Sequence, residues 1–178
     1  LLKFTKGHPV KILCVLGLFT AITSSFLDNV TTVILVMPIT FVIAKTLELD
    51  PIPFLITEIV SSNIGGTATL IGDPPNIIIG SAGGLSFMDF IKELTPIIAI
   101  ILVAVIIVLS FIFKKKLHAN PEKMAEISNI DNSHTITDKS LMIRSTITLG
   151  LVILGFMTHD ITHISTCVAA MFGAAFLL

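Results

Sequence analysis

The sequence predicts an all-α integral membrane protein built around a helical hairpin and a discontinuous transmembrane helix. Of its 178 residues, 53% are hydrophobic and only 13% are charged, whereas soluble domains are about a quarter charged. Several apolar stretches approach the length of about 20 residues that a membrane helix needs. One of the most apolar regions is nevertheless interrupted by the glycines, prolines and polar residues of SSNIGGTATLIGDPPNIIIG, residues 61–80. The net charge of -1 says nothing about acidic or basic partners, and no nucleic-acid partner is expected.

The first third of the chain predicts a helical hairpin over residues 9–47. Two apolar segments, Pro9–Leu27 and Val30–Leu47, are separated only by Asp28-Asn29. The hairpin is either two full spans with a tight turn or a re-entrant pair whose tip stops inside the membrane, and segment length leaves both open. Further polar residues gather at this tip, namely Ser24, Ser25, Thr31 and Thr32.

Asp28 is the most informative residue of the predicted tip. A carboxylate at the bilayer centre costs roughly 2.5–3.5 kcal/mol on insertion scales, so its presence needs a functional reason if the tip is re-entrant. We therefore predict that Asp28 is an ion ligand or a proton carrier. The alternative is that it only caps a helix at the far interface.

The interrupted apolar segment predicts a broken helix over residues 52–82. Ile52–Ser62 is expected to form the first half, and Gly65-Gly66 is expected to end it, because adjacent glycines weaken a helix and permit left-handed backbone. Asp73 is expected to be the N-cap of the second half, with Pro74 at its first position. Asp73 either caps only or also lines a site.

The predicted interruption, residues 64–72, leaves polar backbone near the middle of the membrane. Such backbone is tolerated only where protein or a water-filled cavity covers it, and many secondary transporters build their site there. The last carbonyls of the first half are expected to face a cation, and the first amides of the second half an anion. Neutral ligands are expected from Asn63, Thr67, Thr69 and Asn76. Glu58, about two turns earlier, is either a proton relay or the partner of a neighbouring helix.

The rest of the chain predicts a membrane helix over residues 94–113, a polar loop over 114–140 and two further membrane segments within 141–178. With the hairpin ends on one side and two crossings after it, all of the eleven Lys and Arg except Lys92 fall on one side. The positive-inside rule makes that side cytoplasmic. We therefore expect a multi-pass protein of the plasma or inner membrane with loop 114–140 in the cytoplasm.

No enzymatic motif is present, so the sequence predicts a protein that is not an enzyme. The GGTATLIGD stretch lacks the Gly-Lys-Ser/Thr ending of a phosphate-binding loop. The residues before Asp73 lack the first glycine of the Gly-x-Gly-Asp signature of intramembrane aspartyl proteases. No resident cofactor is expected, apart from Na⁺ or H⁺ as a coupling ion. The first residues, Leu-Leu-Lys, and the apolar end of the sequence lead us to expect a fragment of a longer protein.

Three stretches carry a resemblance to a known family. FLDNVTTVILVMPIT (26–40), NIGGTATLIGDPPNIII (63–79) and LGFMTHDITHISTCVAAMFGAAFLL (154–178) resemble the melanosomal P-protein-like permeases. These permeases belong to the ion transporter superfamily, with the arsenite efflux permeases, D-type Na⁺/H⁺ antiporters and citrate or dicarboxylate transporters.

The resemblance implies an inverted repeat in which each half carries a re-entrant hairpin and a broken helix. Residues 1–113 would be the transport core of the first repeat, residues 114–140 a cytoplasmic loop and residues 141–178 the start of the second repeat. The coupling-ion ligands of the family carry over to Ser24, Asp28 and Asn29 at the tip and to Gly65 and Gly66 in the break. A Na⁺ site is accordingly expected at Ser24, Asp28, Asn29 and Gly65.

The function implied is a secondary active transporter that works by alternating access. Carboxylate transporters of the superfamily carry Ser-Asn-Thr at the tip, whereas this chain has Asp28-Asn29-Val30. Because an acidic tip repels a citrate-like anion, we rank cation/proton coupling and an inorganic ion or anion such as arsenite above a di- or tricarboxylate symporter. An uncoupled, channel-like module is the other alternative. Expected partners are the lipid bilayer, the transported ion, the second half of the protein and a second copy in a homodimer.

Overall fold

The fold is described by a computed structural model over residues 5, 7–119, 124, 139–158, 162 and 166–177. This part of the chain contains helices and no strand. The helices are α1 (Pro9–Ser24), α2 (Asn29–Thr46), α3 (Ile52–Gly66), α4 (Pro74–Gly83), α5 (Phe87–Phe113), α6 (Lys139–Met157) and α7 (Thr166–Leu177). Within α5, the five residues Phe90–Leu94 form a π-helical turn.

Three of these helices are long and apolar enough to cross a membrane. They are α2 and α5 as a whole and the Ser140–Met157 part of α6. Helices α1 and α7 are apolar but shorter. A helix can cross a bilayer because its backbone groups bond within the segment. These three helices therefore confirm the predicted all-α membrane protein.

Prolines mark where several helices begin. Pro9, Pro53 and Pro74 each lie at one of the first two positions of α1, α3 and α4. Proline is suited to this position because its missing N–H would have no partner in the first turn. Pro38 differs, since it lies inside α2 and removes one hydrogen bond from the middle of that helix.

The described residues divide into two compact units. The first holds α1 to α4 and α5 from Asp89 onward, and the second holds Ser86–Met88, α6 and α7. In the first unit α1 packs most extensively on α3, and α2 and α5 both pack on α3 as well. The apolar core lies at the start of α1 and the end of α2, with Leu13, Leu47 and Phe54 almost fully buried.

Glycines allow α1 and α3 to approach closely. A Cβ at Gly65 would overlap the backbone carbonyl of Ala21, and a Cβ at Gly17 would lie 3.0 Å from Ser61 Oγ. The first half of the broken helix ends at Gly65-Gly66 as predicted, since Gly66 is the last residue of α3, but the interruption begins at Thr67 rather than at Ile64. Neither glycine of the pair has positive φ; among the described residues, the glycines that do are Gly7 and Gly84. The glycine pair therefore serves close packing rather than left-handed backbone.

In the second unit α6 packs against α7. Gly173 of α7 lies directly on Val152, where a Cβ would overlap the valine side chain. The rings of Phe87 and Phe156 also meet there, with centroids 5.8 Å apart. Most of the predicted loop 114–140, and the turn before the last predicted span, lie outside the described residues.

Candidate ion-binding site at the hairpin tip

The tip of the hairpin is a four-residue turn between α1 and α2 that ends in a helix cap. Asp28 is the N-cap of α2, and its Oδ1 accepts hydrogen bonds from the N–H groups of Val30 at 2.9 Å and Thr31 at 3.1 Å. These bonds satisfy two of the backbone donors that a helix start leaves unpaired. Asp28 remains exposed, so the carboxylate both caps the helix and lies open at the tip.

Asn29 is the residue that joins the tip to the broken helix. Ser24 Oγ donates to Asn29 Oδ1 at 2.6 Å, and Ser62 Oγ donates to the Asn29 carbonyl oxygen at 3.0 Å. The Asn29 side-chain amide in turn donates to Asn63 Oδ1 at 3.4 Å. One residue therefore connects the end of α1, the start of α2 and the last turns of α3.

Oxygen atoms outnumber the available protons in the group formed by Ser24, Asn29 and Ser62, which we call the Asn29 cluster. Ser24 Oγ and Ser62 Oγ lie 3.0 Å apart, in addition to the contact that each hydroxyl makes with Asn29. With the Asn29 amide oxygen facing Ser24, the three contacts need three protons, and the two hydroxyls supply only two. One pair of oxygens therefore faces each other through lone pairs, which is an arrangement that a cation stabilises.

The break between α3 and α4 packs directly against the tip. Thr69 Oγ1 donates to the carbonyl oxygen of Ser25, and Gly72 N–H donates to Thr69 Oγ1 at 3.1 Å. A Cβ at Gly66 would overlap Asn29 Oδ1, and a Cβ at Gly72 would lie 2.9 Å from the Ser24 carbonyl oxygen. Glycine is thus required at two places where backbone touches the tip.

Asn76 holds the end of α3 and the following turn together. Its Nδ2 group donates to the carbonyl oxygens of Thr69 at 2.8 Å, Thr67 at 3.2 Å and Gly66 at 3.3 Å. Asn76 is buried, and these carbonyls would otherwise lack the helical partners that the break removes. The carbonyls expected to face a cation are therefore held by a protein donor, and Asn76 shapes the break from inside.

We expect Asn76→Ala to lower the free energy of unfolding by about 2–6 kcal/mol, because the side chain supplies two N–H donors and each buried carbonyl left without one costs about 1–3 kcal/mol. The measurement is thermal or denaturant unfolding of the full-length protein in detergent. Asn63→Ala is the matched control, since Asn63 is exposed: its amide bonds the Ile59 carbonyl of its own helix at 2.8 Å, and its other contact is the long 3.4 Å bond from Asn29. Equal stability of the two variants would contradict the role of Asn76 in holding the end of α3 and the following turn together.

The start of α4 offers fewer donors to an anion than the sequence predicted. Asp73 is the N-cap, as expected, but its side chain makes no capping hydrogen bond. Pro74 and Pro75 have no N–H, and the Asn76 N–H bonds the Asp73 carbonyl at 3.0 Å. The helix N-terminus is therefore a poorer anion site than an ordinary first turn.

The structure brings some predicted site residues together and leaves others apart. Those that meet at the junction of tip and break are Ser24, Asn29, Asn63, Gly66 and Asn76. Thr31 is exposed beside Asp28, and Thr67 Oγ1 bonds the Asn63 carbonyl of its own helix at 3.0 Å. Gly65 packs against α1 rather than facing the tip. Thr32 is buried on α2, and its hydroxyl has no hydrogen-bond partner in the described part of the chain.

Glu58 lies deeper in the same bundle and is fully buried. Thr40 Oγ1 donates to Glu58 Oε1, while Oε2 has no partner among the described residues. Sequence reasoning missed Thr40 and also Ser62, the second hydroxyl of the Asn29 cluster. Serine and threonine at helix-facing positions of apolar segments were the available signal, but the pairing between helices is not visible in one sequence.

Helices of membrane-spanning length, together with two shorter helices separated by a break that packs against the hairpin tip, define an all-α membrane protein with a discontinuous helix. The chain belongs to the citrate transporter family (CitMHS), whose model matches residues 1–177. This match and the relatives below confirm the predicted membership of the ion transporter superfamily.

The relatives extend well beyond this chain. A 46 kDa membrane protein of Mycobacterium leprae is 41% identical over 176 residues, which is 99% of this chain and 41% of that protein. An uncharacterized transporter of Mycobacterium tuberculosis is 39% identical over the same shares. The P protein of Mus musculus is 37% identical over 134 residues, 71% of this chain and 16% of that protein. The chain thus spans about two fifths of its bacterial relatives.

Proposed function

We propose that the full-length protein is a secondary active ion transporter that works by alternating access and is coupled to a cation or a proton. The observation that carries the proposal is the Asn29 cluster, in which the hairpin tip and the last turns of α3 before the break share one set of partly buried polar contacts. Membership of a transporter family supports the class. Substrate and coupling ion are our inference from the chemistry of the site.

The coupling ion is proposed to bind at the tip, near Ser24, Asp28 and Asn29. The cluster has an excess of oxygen lone pairs over protons, and an exposed carboxylate lies one residue away. Hydroxyl, amide and carboxylate oxygens are the ligands that hard cations prefer. The site therefore suits Na⁺ or H⁺. Because an acidic tip repels a free anion, an inorganic ion, or an inorganic anion moved together with a proton, ranks above a di- or tricarboxylate as the substrate.

The length of α1 supports a re-entrant hairpin. Its 16 residues extend about 24 Å at 1.5 Å per residue, whereas the hydrocarbon core is about 30 Å thick. A tip that stops inside the membrane would place the Asn29 cluster and the break at a depth where a substrate must pass. The same topology keeps loop 114–140 on the cytoplasmic side of a plasma or inner membrane.

We expect Asp28→Asn to abolish cation-driven proton movement or to change its ion dependence. Asparagine caps helices about as well as aspartate, so the two capping bonds and the fold of the tip should persist while the charge is lost. The measurement is internal pH in sealed vesicles that contain the full-length protein, followed while Na⁺ or Li⁺ is added.

The matched control for this experiment is Asp50→Asn. Asp50 is also exposed, and its Oδ1 accepts from the Ile52 N–H at 3.0 Å at the start of α3. It therefore has the same chemistry at a distance from the tip, and this variant should transport normally. Unchanged flux and unchanged ion dependence in Asp28→Asn would contradict a coupling role for the tip carboxylate.

A citrate-type substrate is the second candidate, because the matched family is described as citrate transporters. In that case the negative charge of Asp28 must be neutralised by a bound cation or proton before the substrate binds. The same vesicles distinguish the two candidates: citrate uptake that requires Na⁺ or a proton gradient favours the symporter, and proton movement with the cation alone favours cation/proton exchange.

A further inference from the structure

Four buried polar atoms of the first unit have no hydrogen-bond partner in the described part of the chain. They are Thr20 Oγ1, Thr32 Oγ1, Ser61 Oγ and Glu58 Oε2, and each of these residues is 0% exposed. Leaving a buried polar group unpaired costs about 1–3 kcal/mol. Folded proteins usually meet this need with ordered water, which makes about three hydrogen bonds to such groups.

Three of these atoms lie on the three helices that meet at the Asn29 cluster, each within about one turn of a cluster residue along its own helix. Thr20 lies one turn before Ser24 on α1, and Thr32 lies one turn after Asn29 on α2. Ser61 precedes Ser62 on α3, and it points toward α1, because a Cβ at Gly17 would lie 3.0 Å from its Oγ. We call these three residues the hydroxyl layer. One hydroxyl comes from each helix that meets at the Asn29 cluster.

Glu58 lies about one turn farther from the break than Ser61 on α3. It lies three residues before Ser61 on α3, a spacing that places both on the same face of a helix. From α2, Thr40 donates to one of its carboxyl oxygens. Among the described residues, Glu58 is the buried titratable side chain. Cys14, on the neighbouring helix α1, is half-buried and forms a hydrogen bond with Ser110 at 3.2 Å. No buried cation therefore faces Glu58 within this part of the chain.

We propose that the hydroxyl layer holds water that connects Glu58 to the hairpin tip, and that Glu58 takes up and releases a proton along this route. A buried carboxylate without a cation is unfavourable, so a proton or a route to one is expected. In the step, the O–H bond of Glu58 breaks and an O–H bond forms on the adjacent water. An equivalent proton leaves the far side of the water toward the tip, and a carboxylate remains. This proton route depends on the proposed function in one respect, namely that the hairpin tip is the ion-binding site.

The test is the rate of hydrogen–deuterium exchange at the Glu58 carboxyl in the full-length protein in lipid vesicles. Infrared difference spectra recorded after a change from H₂O to D₂O follow the carboxylic acid C=O band, which is assigned by its loss in Glu58→Gln. We expect prompt exchange in the unmodified protein. Ser61→Ala and Thr32→Val should slow it about tenfold or more, the factor that corresponds to about 1.4 kcal/mol.

Thr57→Val is the matched control. Thr57 is also buried on α3, but its hydroxyl donates to the Pro53 carbonyl of its own helix at 2.8 Å, so its loss should leave the exchange rate unchanged. Melting temperatures of all variants show whether they are folded, and Ser61→Ala, which removes a single oxygen, keeps the test valid if Thr32→Val is unstable.

Two results would overturn the route. One is an exchange rate that is equal in Ser61→Ala, Thr57→Val and the unmodified protein. The other is a spectrum at acidic pH in which Glu58→Gln removes no carboxylic acid band. Neither result depends on transport, so the proton route is tested separately from the proposed function. Slowed exchange in the variants, without cation-driven proton movement, would support the route and contradict the proposed cation/proton exchange.

Discussion

Asn29→Ala is expected to abolish ion-coupled transport while the protein remains folded. The substitution removes the oxygen that accepts from Ser24 and the amide that donates to Asn63, but it leaves the Asn29 carbonyl that binds Ser62. Loss of even an indirect partner of a metal ion costs about 10–100-fold in affinity or activity. For a direct ligand we expect the rate of Na⁺-driven proton movement at low Na⁺ to fall by about 100-fold or more. The measurement is internal pH in sealed vesicles.

The control for Asn29→Ala is Thr23→Ala. Thr23 adjoins Ser24, yet its hydroxyl donates to the Phe19 carbonyl within α1 at 2.9 Å, so it takes no part in the junction of tip and break. Its flux should match that of the unmodified protein. If Asn29→Ala transports as well as Thr23→Ala does, the Asn29 cluster only joins helices and another part of the protein binds the ion.

Gly66→Ala is expected to have the second large effect, on both stability and transport. Its Cβ would overlap Asn29 Oδ1 and would lie 2.9 Å from the Gly72 carbonyl oxygen. Insertion of a methyl group into such a contact typically costs about 1–3 kcal/mol. The tip and the break must move apart to admit it, so transport should fall even in the protein that folds.

Unfolding of Gly66→Ala in detergent should be compared with that of Gly150→Ala. A Cβ at Gly150 would meet nothing within 4 Å, and alanine favours a helix over glycine by about 1 kcal/mol, so this variant should be as stable as the unmodified protein or more so. Equal melting temperatures for the two variants would show that the tip and the break do not touch as closely as described.

Several features follow directly from the sequence because they depend on local chemistry. Apolar segments of membrane length predicted the helical membrane protein. Asp73 before an apolar run predicted a cap, and the structure places it at an N-cap position. Asp28, for which capping was the alternative to an ion-binding role, is an N-cap as well. Proline at the start of α4 was predicted on the same local grounds. Each of these signals lies within a few residues of the feature that it specifies.

Other features could not be predicted because they depend on contacts between distant helices. The helix end at Gly65-Gly66 was predictable, but the packing role of the two glycines depends on Ala21 and Asn29 on other helices. The hydrogen bond from Asn76 to the Thr69 carbonyl depends on how the chain folds back after α3. Likewise the pairing of Thr40 with Glu58 joins two helices that face each other only in the folded bundle.

The central claim is that the Asn29 cluster binds the coupling cation, and direct titration tests it. The full-length protein in weakly buffered detergent should be titrated with NaCl while heat and pH are both recorded. We predict a saturable signal, from Na⁺ binding or from the proton that Na⁺ displaces, in the unmodified protein and in Thr23→Ala, and its loss in Asn29→Ala. A signal of equal size and midpoint in Asn29→Ala would contradict the claim.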